Sequence, residues 1–169
     1  MITRRHAIGL GLTAAAVASA LFSSTAEADQ AFARFLPLLV DLDGWQGKKP
    51  EGMAMEMPGN SMTTATREYR RDAARLNASI IIGPAARGAL AATKTGMNIE
   101  TSDGRMSTSK IDGLPVTRTF NIKDKSGTIL VALSDDALFS LSFNGVGDDD
   151  ALALARKFDW KRMLAAQRK

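Results

Sequence analysis

The fold is decided by the stretch IDGLPVTRTFNIKDKSGTILVALSDDALFSLSFN, residues 111–144. It contains three runs suited to β-strands, at 116–122, 128–133 and 138–143, which are separated by two short polar turns. Short runs bounded by Gly, Asp and Ser are typical of strands joined as hairpins. The middle run is almost continuously apolar, whereas its neighbours alternate between apolar and polar residues. This pattern predicts an interior strand covered on both faces, flanked by strands that each have one solvated face.

The regions outside this stretch extend it into an α+β fold. Further strands are expected at 62–71, 75–82, 97–101 and 106–111, and helices near 31–36, at 85–95 and from 151 onwards. Such a chain has to bury the apolar faces of both its strands and its helices. We therefore expect an antiparallel meandering β-sheet with N-terminal, middle and C-terminal helices packed on one face.

The first 28 residues are expected to be a cleaved export signal. Arg4 and Arg5 form a twin arginine, which is followed by a weakly hydrophobic run of small and apolar residues and by the small-residue cleavage pattern Ala26-Glu27-Ala28. This combination favours export by the twin-arginine translocase, with an ordinary secretory signal as the alternative. The expected product is periplasmic or secreted after cleavage near Ala28, and it has no stable membrane anchor.

The expected mature chain, residues 29–169, forms a single α+β domain with a small net charge. Removal of the signal takes away two basic residues and one acidic residue, which leaves a net charge of +3. So small an excess does not require a polyanionic partner, and no nucleic acid is expected. The chain has no cysteine, and its single histidine, His6, lies in the signal. A Ser-His-Asp or Cys-His nucleophile, a His/Cys zinc site and a cysteine-ligated haem or iron–sulfur cluster are therefore excluded for the mature protein.

Four methionines form the one chemically suggestive segment. Met53, Met55 and Met57 alternate, so that in an extended chain their side chains point the same way, and Met62 follows five residues later. Thioether sulfur is a soft ligand suited to Cu(I), which makes copper the alternative to having no cofactor. The same side chains also suit irregular core space, or a pliable surface for an apolar ligand or a partner chain. The spacing does not separate these three interpretations.

A second candidate surface combines arginine with aromatic residues. Arg67 and Arg70 flank Tyr69 on a predicted strand, and Trp45 lies beside a glycine turn. Arginine and aromatic side chains together suit an anionic ligand or a partner. The plainer interpretations are a solvated strand face and a tryptophan that closes one end of the core.

The carboxylates offer little support for catalysis. The candidate pairs for a hydrolase are Asp41 with Asp43 and Asp135 with Asp136. Adjacent strand residues point in opposite directions, and carboxylates in turns are usually solvated. The run 148–150 is expected to cap the start of the C-terminal helix, because it lacks the spacer residues of a calcium loop.

In outline, the chain resembles the small exported α/β-sandwich proteins of the PsbP-like kind. The resemblance rests on Leu42-Asp43-Gly44-Trp45, on the strand order from 62 to 143 and on the acidic helix start at 148–150. Families of that shape are mostly non-catalytic accessory or binding proteins, and the resemblance carries over no site residues. The expected function is therefore non-enzymatic binding of an unidentified periplasmic protein or small ligand. The alternatives are a Met-rich Cu(I)-binding protein and a carboxylate-dependent hydrolase.

Overall fold

The computed structural model of the protein describes residues 31–93 and 96–168. This part of the chain forms one antiparallel sheet of nine strands. The strands are β1 (Gln46–Gly47), β2 (Glu51–Met55), β3 (Met62–Arg71), β4 (Ala74–Ile82), β5 (Ile99–Glu100), β6 (Gly104–Ile111), β7 (Leu114–Asn121), β8 (Ser126–Ala132) and β9 (Ala137–Asn144). The helices are a short 3-10 helix (Leu36–Leu38), α1 (Pro84–Thr93), α2 (Asp148–Ala155) and α3 (Trp160–Gln167). The expected signal at 1–28 and the expected helix end at 94–95 lie outside the described residues.

The sheet joins a hairpin to a meander. Its strand order is β1-β3-β4-β9-β8-β7-β6-β5, and β2 pairs with β3 beside β1. The predicted interior strand is β8, which lies between β7 and β9. The hairpin of β3 and β4 is attached through the pairing of β4 with β9. Three successive isoleucines, residues 80–82, explain this interior position of β4, because they give it apolar side chains on both faces. The predicted α+β class with an antiparallel sheet is confirmed.

The two faces of the sheet bury different clusters. The larger cluster lies on the side of Phe139, named here the Phe139 face. It includes Phe35, Leu38, Leu39 and Leu42 of residues 31–45, named here the N-terminal segment, together with residues of α2 and α3. The smaller cluster lies on the opposite side, the Leu138 face, where Leu138 packs with Ala86 and Leu90 of α1. The expectation that all the helices pack on one face is therefore not confirmed. Helix α1 covers the apolar side chains that alternate with those of the larger core.

The helix ends follow local chemistry. Pro37 follows the helix expected near 31–36 and lies inside the 3-10 helix, where an early proline is tolerated because it has no N–H to leave unpaired. Asp159 caps α3, because its side chain accepts a hydrogen bond from the Arg162 amide at 2.9 Å. No helix among the described residues is long and apolar enough to cross a membrane.

The acidic run at the start of α2 is more than a cap. The N-cap residue is Gly147, which has no side chain to accept a capping hydrogen bond. The first turn of the helix consists of residues 148–150. The Asp148 side chain is 4% exposed, and its carboxylate lies 2.6 Å from both Arg105 and Arg118. Arg118 also contacts the exposed Asp149 at 2.9 Å. The acidic helix start is as predicted, but Asp148 joins α2 to β6 and β7 through a buried ion network in place of a side-chain cap.

Candidate functional site

A cleft of about 1030 Å³ opens at the end of the sheet where β8 turns into β9. It has three walls: α1, the ends of β6 and β7, and the C-terminal end of α3. Small-molecule sites commonly enclose about 300–1,000 Å³, so the cleft has room for one such ligand. The lining residues are Arg87, Leu90, Thr93, Gly96, Thr108, Ser109, Lys110, Leu114, Pro115, Ala132, Leu133, Ser134, Asp135, Asp136, Leu164, Gln167 and Arg168.

Apolar side chains from separate elements form much of the cleft's lining. Leu90 of α1 and Leu133 after β8 are buried, so each shows only its edge to the cleft. Leu114, Ala132 and Leu164 are half-buried and contribute from β7, β8 and α3. These apolar side chains are partly open to solvent. They favour an apolar ligand, because a bound ligand would cover them and remove their surface from water.

A polar network closes one end of the cleft. Ser134 Oγ donates to Asp136 Oδ1 at 2.8 Å, and Gln167 Nε2 donates to both of these oxygens at 2.8 Å. The backbone carbonyl of Asp136 accepts from the Gly83 amide at 2.8 Å, which ties the turn to the start of α1. The hydrogen bonds therefore link the turn, the start of α1 and the end of α3. Within the described part of the chain, the buried Gln167 Oε1 has no hydrogen-bond partner.

The two candidate carboxylate pairs lie in different places. Asp136 accepts the hydrogen bonds just described, and Asp135 beside it is exposed. Asp41 pairs with Arg67 at the surface, beside the N-terminal segment, while Asp43 is exposed. Neither arrangement resembles two carboxylates facing each other across a substrate.

The predicted Trp45–Tyr69–Arg67–Arg70 surface is divided by the sheet. Tyr69 is fully buried, and its hydroxyl donates to the Val40 carbonyl at 2.7 Å. Arg67 donates to the Leu39 carbonyl at 2.7 Å and its guanidinium lies over the Tyr69 ring. These two side chains therefore hold the N-terminal segment against β3.

The other two members of this surface differ in exposure and orientation. Trp45 is 8% exposed, and Cζ of the Arg71 guanidinium lies 4.4 Å from the centre of the Trp45 ring. This burial agrees with a tryptophan that closes one end of the core. Arg70 is exposed and occupies the Leu138 face, directly opposite Arg75. The four residues thus do not form one continuous surface.

The buried tyrosine gives the protein a pH dependence that can be measured. Burial raises the pKa of Tyr69 to about 12 from its ordinary value of 10.0, with the Arg67 charge opposing the shift. The neutral form is therefore favoured in the folded state, and this stabilisation is full below pH 10 and is lost as the pH rises towards 12. Two pKa units correspond to about 3 kcal/mol.

We expect a near-ultraviolet titration of tyrosinate to give an apparent pKa near 12 in the folded protein and near 10 in denaturant. Tyr69 is the chain's single tyrosine, so the signal belongs to one residue. Tyr69→Phe is the control, since it should remove this part of the alkaline loss of stability. A folded-state pKa of 10 would show that the hydroxyl is accessible to solvent.

The methionine segment is a strand with an exposed sulfur-bearing side. In β2, Met55 lies directly opposite Met62 of β3, and Met53 is two residues away on the same face. Gly52 on the other face leaves room for the Phe32 ring. Met53, Met55 and Met57 are 49%, 42% and 50% exposed, so the interpretation that they fill core space is wrong. Met57 lies beyond the end of β2.

The cleft could not be foreseen because its residues come from four distant parts of the chain. Hydrophobic periodicity assigns each residue to a face of its own element, but it does not say which elements meet at their ends. The one available signal was the turn at 134–136, whose hydroxyl and carboxylates follow an interior strand. Within the described ranges, no group of three or more His, Cys, Asp or Glu side chains is placed to hold a metal ion. Compared with known proteins, the chain matches no family model, no curated protein and no solved structure.

Proposed function

We propose that this is a non-enzymatic binding protein, exported from the cytoplasm, that holds a small ligand in the cleft at the end of its sheet. The observation that carries the proposal is the open cleft of about 1030 Å³ with apolar side chains in its walls, framed by the Ser134–Asp136–Gln167 network. A frame tied by hydrogen bonds is preorganised, which lowers the entropic cost of binding. The mature chain's lack of histidine and cysteine and the resemblance to PsbP-like proteins also support a binding function.

The proposal predicts that the protein binds the neutral fluorescent dye N-phenyl-1-naphthylamine and that Ala132→Phe weakens this binding at least tenfold. Ala132 is half-buried in the cleft wall, so a phenyl ring there takes up space that the dye needs. Thr128→Phe is the matched control, because it places the same ring on the same strand and face outside the lining of the cleft. The proposal is wrong if the parent protein does not bind the dye, or if Ala132→Phe binds it as the parent does.

Export rests on the twin arginine at 4–5 and on the cleavage pattern that ends at Ala28. The proposal is that the translocase is the partner during export and that the ligand or partner protein is met in the periplasm or outside the cell. Determination of the N-terminus of the protein recovered from its own host tests this, and we expect the mature chain to begin at Asp29. A chain recovered with its first 28 residues intact from the cytoplasm would contradict export.

A Cu(I) site is the second candidate, and the strand register favours it. Directly opposed residues have Cβ atoms about 4.5–5.5 Å apart, so Met55 and Met62 are neighbours, with Met53 one step along the same face. Three thioethers on one exposed surface match the preference of Cu(I) for soft ligands.

This candidate predicts that replacing Met53, Met55 and Met62 with leucine abolishes Cu(I) binding in competition with a chelator. Leucine keeps the volume and apolarity of methionine, and such exchanges usually cost less than about 1.5 kcal/mol, so the fold should survive. Met97→Leu is the control, because Met97 is equally exposed and lies elsewhere. A parent protein with no more Cu(I) affinity than its leucine variant rules the site out.

A further inference from the structure

The charges around the cleft identify the class of ligand. Three of the described lining residues are cationic: Arg87 on α1, Lys110 on β6 and Arg168 after α3. They come from the three separate walls and all are exposed, so they surround the opening. Among residues 31–93 and 96–168, none of the three has a carboxylate within ion-pair distance.

The acidic residues of the cleft are already engaged by the protein. Asp136 accepts hydrogen bonds from Ser134 and Gln167 at 2.8 Å, and Asp135 also has an interaction within the protein. With three cations against two carboxylates, the lining carries a positive excess. The charges that remain available to a ligand are therefore cationic, and they surround apolar walls.

We infer that the ligand is a single-chain amphipathic carboxylate, whose apolar chain lies against Leu90, Leu114 and Leu164 and whose head group meets Arg87, Lys110 and Arg168. This inference rests on the proposed function and names the class of ligand for the same cleft. An apolar chain gains by leaving water, while a carboxylate keeps its solvation and gains attraction from the cations at the opening. A cleft of this volume can enclose one such molecule, which favours a single free amphiphile over a lipid bilayer as the ligand.

The test compares three amphiphiles that share a ten-carbon chain and differ in head-group charge: decanoate, decan-1-ol and decyltrimethylammonium. Each is titrated against the protein loaded with N-phenyl-1-naphthylamine, and its displacement of the neutral dye is measured. We expect decanoate to displace the dye at concentrations about tenfold lower than decan-1-ol. The advantage is this modest because each exposed ion pair contributes little to the binding free energy. Decyltrimethylammonium should be the weakest, and added salt should reduce the advantage of decanoate.

A charge-neutral variant separates the head group from the chain. Replacing Arg87, Lys110 and Arg168 with glutamine should remove the preference for decanoate, so that in this variant decanoate and decan-1-ol displace the dye at similar concentrations. These side chains are exposed, so the substitutions should not disturb folding. The matched control removes three exposed cations that do not line the cleft, at Arg70, Arg75 and Lys161.

The outcomes distinguish this inference from the proposal beneath it. A protein that binds the dye but treats the three head groups alike, prefers the ammonium, or keeps its decanoate preference in the cleft variant overturns the carboxylate inference alone. A parent protein that does not bind the dye, or whose dye binding Ala132→Phe leaves intact, overturns both. If the control variant also lost the preference for decanoate, the preference would come from the net charge of the protein. That result would overturn the inference.

Discussion

Replacing Phe139 with alanine is expected to lower the free energy of unfolding by about 3–5 kcal/mol. Phe139 is fully buried on β9, with its ring centre 4.9 Å from that of Phe158 and 6.5 Å from that of Trp160. It therefore joins the sheet to the C-terminal helical region, and alanine would leave a cavity that packed rings on both sides cannot fill. A loss of this size is a large fraction of the total stability of a typical domain, about 5–15 kcal/mol.

Ser140→Ala provides the matched control on the same strand. Ser140 follows Phe139 directly but lies on the Leu138 face, where it is half-buried between Ser79 of β4 and Leu130 of β8. Its substitution should change stability by less than about 0.5 kcal/mol, as surface changes usually do. Chemical denaturation of the two variants and the parent gives both values. Equal losses would show that the alternation of faces along β9 is wrong.

The alternation that places Phe139 and Ser140 on opposite faces could be predicted from the sequence because it depends only on strand geometry. Successive side chains point to opposite sides, so the run at 138–143 already separates its apolar residues from its polar ones. The interior position of β8 follows in the same way from its apolar residues on both faces. The bounds of β3 were likewise predictable, since its Thr-rich run is bounded on each side by a turn.

The position of α1 could not be predicted in this way. The helix is short and rich in alanine, and its sequence does not specify which side of the sheet it covers. That choice depends on Leu130, Ala132 and Leu138, whose apolar side chains form a patch on the Leu138 face only after β8 and β9 pair. The cleft depends in turn on this helix. A site assembled from the ends of elements thus appears only once the tertiary arrangement is known.

The arginines illustrate the same limit at the level of single residues. Arg67 and Arg70 were grouped because they flank one tyrosine, but an odd separation in a strand places them on opposite faces. Arg67 is then held by the Leu39 carbonyl, a contact 28 residues away in sequence. Proximity along the chain therefore overestimates how often charged side chains act together.

Asp148→Asn is expected to lower the free energy of unfolding by about 3 kcal/mol. Its carboxylate is buried beside Arg105 and Arg118, and removing it leaves the mostly buried Arg118 guanidinium with only the exposed Asp149 as a partner. Burial disfavours the charged form of Arg118, but hydrogen bonds to Asp148 and Asp149 outweigh this and raise the pKa of Arg118. An arginine guanidinium is not deprotonated in proteins, so Arg118 keeps its charge in the variant and the lost attraction lowers the stability.

The control is the next residue along the chain. Asp149 contacts the same guanidinium at 2.9 Å, but its side chain is 89% exposed, so Asp149→Asn should cost less than about 1 kcal/mol. Because the two substitutions remove the same charge from adjacent positions in the first turn of α2, their effects on the helix dipole should be similar. The difference between their denaturation midpoints thus measures what burial adds to the network. Equal and small losses would mean that water reaches Asp148 and that α2 is not fixed to β6 and β7 by this carboxylate.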